Sequence, residues 1–151
     1  MKNCKVTVVG KNGEQDTIVL GALPTDPESG ELQKTLDKCV VKFDTIDDDV
    51  VEKSTGMITR IELEGVINDK NRAQVEKLAR WVMDMNADTE YRQVNVEMVL
   101  EGSNDKHGYE IKKVFVVDYE ENHKVDGQNG ASKYMVKLTQ RAGNMENINI
   151  F

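Results

Sequence analysis

One segment breaks the pattern that the rest of the chain keeps. Nearly everywhere, apolar and polar residues alternate with a period of two. Between Asn68 and Met85 the period lengthens: Val75, Leu78, Val82 and Met85 recur at 3-4-3 spacing, with Ala79 and Trp81 near the edges of the stripe. Lys70, Gln74, Lys77 and Asp84 fill the opposite face. This predicts one amphipathic helix of about 16 residues, with Asn68 or Asp69 placed to cap its first free N–H groups. A lone helix cannot bury its own apolar stripe, so this one must lie against a sheet.

The alternating segments supply that sheet. Lys5–Val9 and Asp16–Leu20 flank Gly10-Lys11-Asn12-Gly13 and predict a hairpin. Lys38–Ile46 puts Cys39, Val41 and Phe43 on one face. Met57–Ile67 sets Ile61, Leu63 and Ile67 against Arg60, Glu62 and Glu64. Arg92–Glu101 turns Val94, Val96, Met98 and Leu100 inward. Two long strands follow, Tyr109–Tyr119 and Ala131–Arg141. Between them lies Glu120–Gly130, whose Asp126-Gly127 and Asn129-Gly130 pairs suit positive φ. Gly21–Asp37, with both prolines, reads as a long loop, and loops of that length usually contact something. Asp47–Gly56 is an acidic connection, and the tail 142–151 ends in the apolar, strand-like Ile148-Asn149-Ile150-Phe151. The expected fold is mainly β with one α-helix: a small antiparallel barrel or sandwich, in a single domain spanning 1–151.

A chain of 151 residues can bury a core without a disulfide or metal. Its net charge of −7 opposes nonspecific binding to nucleic acid or to an anionic membrane surface. No apolar run approaches the ~20 residues that cross a bilayer. The N-terminal MKNCKVTVVGKNG lacks a small-residue cleavage site and does not read as a signal peptide, so cytoplasmic assembly is expected. Cys4 and Cys39 then read as free thiols, able to pair only if both face one core.

Catalytic patterns are sparse. His107 and His123 both fall in polar turns that read as solvated surface. Neither has a partner at metal-ligand spacing, and the two cysteines form no CxxC pair. Asp44-Thr45-Ile46-Asp47-Asp48-Asp49 with Glu52 is acidic but lacks the central glycine and ligand spacing of a calcium loop. No glycine-rich phosphate loop occurs. Trp81 reads as a core or interface residue. No catalytic residue, metal or cofactor is expected.

The strand Tyr109–Tyr119 is apolar on both faces under simple alternation, with Ile111, Phe115 and Val117 on one and Val114 and Val116 on the other. Either it is buried between two layers, or one face is covered by another subunit. The second arrangement makes Val114, Val116, Asp118, His123, Ile148, Ile150 and Phe151 candidate interface residues. It also predicts that Val116→Glu breaks assembly and leaves the monomer folded.

Three stretches carry a family resemblance: "DKNRAQVEKLARWVMDM", then "YRQVNVEMVLEG", then "VFVVDYEENHKVDGQNGASKYMVKLTQR". Their order over Met57–Arg141 resembles inner-tube proteins of contractile injection systems, a family related to the type VI secretion tube protein (Hcp) and to phage tail tubes. The resemblance implies a β-barrel-like fold with a flanking helix. It implies hexameric rings that stack into a hollow tube, with sheath, baseplate and spike proteins as partners and cargo carried in the lumen. It further implies a particle that is released or ejected. Arg60, Glu62 and Glu64 are candidates for a hydrated lumen face, although a plain solvated surface explains the same alternation. Two other readings stay open. A small β-barrel that binds a peptide or apolar ligand requires a stable monomer with an internal cavity. A cysteine hydrolase requires a histidine brought to Cys4 or Cys39.

Overall fold

Antiparallel pairing organises almost every alternating segment. The computed structural model describes residues 4–26, 32, 35–45, 57–100, 105–125, 130–140 and 148–151. Most of the acidic connection after Asp44, much of the 21–37 loop, the Asp126-Gly127 turn and the first part of the tail lie outside these residues.

The strands are β1 (Cys4–Val8), β2 (Ile18–Gly21), β3 (Lys38–Thr45), β4 (Met57–Val66), β5 (Arg92–Val99), β6 (Lys106–Asn122), β7 (Lys133–Gln140) and β8 (Ile148–Ile150). The helix α1 (Arg72–Val82) lies between β4 and β5. The sheet order is β2-β1-β5-β6-β7-β4-β3, each neighbouring pair is antiparallel, and β8 pairs with β6 beside Tyr109–Ile111. Strand twist rolls this sheet around one core. Strands far apart on that path come together: the Cys4 thiol on β1 and the Cys39 thiol on β3 are hydrogen-bonded, and the Phe43 ring on β3 lies 5.5 Å from Tyr109 on β6. Val6, Val8, Ile61, Leu63, Val96 and Val136 fill the interior, each with almost no exposed surface.

The helix closes one side. Val75, Leu78 and Trp81 are buried against the core. Gln74 accepts a hydrogen bond from the Val19 backbone N–H (2.9 Å), satisfying a donor on the edge strand β2. Asn71, rather than Asn68 or Asp69, occupies the N-cap position. Asn68 acts one turn earlier, accepting from the Lys70 and Asn71 N–H groups. The helix is also shorter than its pattern predicts. It ends at Val82, and Met85 is 90% exposed. Trp81 explains the stop. Its indole N–H donates to Glu90 O (2.8 Å), drawing the following turn back over the helix end. Arg92, nearly buried, lies 5.4 Å above the Trp81 ring and donates to Asp16 O (3.1 Å). Leu100, expected inside, sits just past the end of β5 and is exposed.

Two β-bulges resolve the puzzle of β6. Arg92 and Val94 on β5 face Val114 and Ile111 on β6, so β6 carries one extra residue there. Lys113 takes the positive φ (62°) of that bulge. The Gln140 side chain donates to Lys112 O (3.0 Å) and accepts from Thr59 Oγ1 (3.2 Å), so a buried side chain satisfies a carbonyl at the irregularity. A second extra residue, Val117, falls between the pairs Val116–Leu138 and Asp118–Lys137. Each bulge resets the alternation. Ile111, Val114, Val116 and Tyr119 all end on the core side, and Val114 is 0% exposed. The expected grouping of Ile111 with Val117, opposite Val114, is therefore corrected. So is the placement behind Val116→Glu: Val116 packs, partly buried, against the core, so a carboxylate there meets apolar neighbours and weakens the fold itself.

Candidate assembly surface

The same bulges decide which side chains project away from the core. Val117 projects outward and is 59% exposed. With Ile58 and Arg60 of β4 and Lys137 and Thr139 of β7, it lines an open groove of about 430 Å³ on the outer face. Phe115 also lies off the core side, its ring edge-on to Tyr91 at 5.6 Å. Beyond Val114, β6 pairs with β7 on one edge, and among the described residues no strand pairs with its other edge. β3 ends the sheet path in the same way. Edges like these offer backbone donors and acceptors to another chain.

Of the sequence-derived interface residues, Asp118, His123, Ile150 and Phe151 reach the surface. Val114 is buried in the core, and Val116 and Ile148 pack against it partly buried, because the bulges and the β8 register put them there. Val117 was not among the candidates. It escapes a period-two reading, since a bulge leaves no fixed residue signature. The His123 Nε2–H donates to the Glu121 carboxylate (3.1 Å) at the exposed end of β6. Phe151 exchanges both backbone hydrogen bonds with Gly108 (2.8 and 3.0 Å), and a Cβ at Gly108 would meet its ring at 2.7 Å. The tail is thus pinned down, and Ile150 stays exposed.

Arg60, Glu62 and Glu64 all project from the outer face of β4. Asp44 lies 3.6 Å from both Lys42 and Arg60, and Lys38 lies 3.5 Å from Glu62. These pairs are solvated and screened, so they contribute little to stability. They do keep the face hydrated and mixed in charge.

The remaining candidate chemistry is not brought together. His107 lies 5.2 Å from Tyr109, ring to ring. The groups that act on the Cys4 thiol are Cys39, burial and Glu97, and neither histidine is among them. Among the described residues, no three His, Cys, Asp or Glu side chains converge as a metal site would require.

No protein-family model matches the chain, and no curated protein matches its sequence. Solved structures do. Hcp1 from Flavobacterium johnsoniae superposes with a TM-score of 0.55 at 14% identity, covering 98% of this chain and 94% of that one. An Hcp protein known from its crystal structure gives 0.57 at 11% identity, with 100% and 99% covered. A chain of the PVC sheath–tube complex, an extracellular contractile injection system in its extended state, gives 0.52 at 11% identity, with 100% and 89% covered. The chain therefore has the Hcp-like tube fold over its full length.

Proposed function

We propose that this chain is the structural subunit of the hollow inner tube of a contractile, phage-tail-like injection apparatus. The observation that carries the reading is the full-length match to Hcp and to a chain of a sheath–tube complex. The surface supports it independently: among the described residues the outer edges of β3 and of the second half of β6 have no strand partner, and an apolar residue, Val117, stands exposed on β6. Six copies close a ring by covering these edges, which removes the risk of uncontrolled strand pairing. Rings then stack. The charged outward face of Arg60, Glu62 and Glu64 supplies a hydrated lining for the channel. Assembly takes place in the cytoplasm, with sheath, baseplate and spike proteins added around and at the ends of the tube. The subunit does no chemistry; its work is mechanical.

Native mass spectrometry of the purified protein tests the ring. The expected result is a dominant species at six times 17.0 kDa. A protein that stays at one copy across the accessible concentration range would sink the reading.

A further inference from the structure

We propose that Cys4 and Cys39 are a disulfide site that locks the rolled sheet shut within one subunit. The argument starts from topology. β1 and β3 are far apart along the sheet path, separated by β5, β6, β7 and β4. Among the described residues, no hydrogen-bonded ladder joins β3 to β1 or β2. The seam where the sheet meets itself is held by side chains instead. Two of those side chains are the only cysteines in the chain, and their thiols are already in hydrogen-bond contact.

Their setting suits oxidation. Cys4 sits across from Met98 on β5, and Cys39 across from Leu63 on β4, both at the border of the core. Both are partly exposed, so a small oxidant can reach them. The hydrogen bond from Cys39 favours the Cys4 thiolate, while burial and the Glu97 charge oppose it. Cys39 is pushed up by the same hydrogen bond and by burial. The two thiols act on each other, so either can attack first once it loses its proton, and the chemistry is the same from Cys4 as from Cys39.

With a low-molecular-weight disulfide as oxidant, the Cys4 thiolate attacks one sulfur and expels the first small thiolate. Cys39 then loses its proton, attacks the Cys4 sulfur of the mixed disulfide and expels the second small thiolate. Two protein thiols are oxidised, one small disulfide is reduced to two thiols, and the two protons end on those products. The bond closes the chain from Cys4 to Cys39 and restricts the unfolded ensemble. Because both sulfurs belong to one subunit, the bond adds no link between copies. This inference does not depend on ring formation.

The test is incubation of the whole folded protein with oxidised glutathione, followed by intact mass and thiol counting in denaturant. The expected product is lighter by two hydrogens, has no free thiol and runs as a single chain without reductant. Its thermal midpoint rises by about 5–10 °C and falls back on reduction. Stable glutathione adducts on the two cysteines, disulfide-linked dimers, or two thiols that stay free would each overturn the proposal.

Discussion

Replacing Val114 with Ala and Val117 with Asp separates the two roles that β6 combines. The residues are three positions apart and both apolar, yet one is 0% and the other 59% exposed. Val114→Ala removes two buried methyl groups, about 0.8 kcal/mol each in transfer free energy. The cavity left behind adds to this, giving roughly 2–3 kcal/mol in total. For a chain of this size that is a fall in melting temperature of about 5–10 °C. Val117→Asp changes a solvated position and costs the isolated subunit under about 0.5 kcal/mol. It does put a charge into the outer groove at the open edge, so assembly weakens. Trp81, the single tryptophan and nearly buried, reports unfolding by fluorescence. Urea titration at low protein concentration keeps assembly from masking subunit stability. Sedimentation at high concentration reads assembly. A neutral Val114→Ala together with a Val117→Asp subunit destabilised by over ~2 kcal/mol would refute the bulged register.

Three further outcomes are expected. Gly65→Ala places a methyl group against Thr35 O and 2.6 Å from Tyr134 Oη, where Tyr134 also donates to Thr35 O. It should lower stability by about 1–3 kcal/mol or more in a chemical melt. Arg92→Lys should cost about 1–2 kcal/mol and shift Trp81 emission, because one ammonium cannot cover the ring and reach both Asp16 O and Thr89 O. For Asp26, burial opposes ionisation, but the Leu23 N–H (2.8 Å) and Lys5 (3.3 Å) outweigh it and hold the pKa below the ordinary value. Its contribution is therefore present above the unfolded-state carboxylate pKa and lost as pH falls through the lower folded value. Asp26→Asn should be less stable than the parent at neutral pH, and the two melting curves should converge in acid.

Most of the sheet and the helix were legible because their periods are regular. Ile61 and Leu63 on β4, and Val94 and Val96 on β5, lie inside as alternation predicts. What failed did so for local reasons. Met85 keeps the helical spacing but follows a stop made by a tertiary hydrogen bond from Trp81 to Glu90. Val114 and Val117 are misplaced by alternation because bulges at Lys113 and Val117 reset it, and nothing in Lys112-Lys113 announces a positive φ. The meeting of Cys4 with Cys39 depends on how far the whole sheet rolls, which no local pattern encodes. The exposed apolar positions were legible only in part. Ile150 in the apolar tail is exposed, whereas the groove around Val117 needs residues from three strands.

Negative-stain electron microscopy of the purified protein, at concentrations where edges can meet, tests the central claim most directly. The account predicts six-fold rings with an open centre, singly or stacked into tubes. Fields of compact single subunits, with no ring at any concentration, would contradict it.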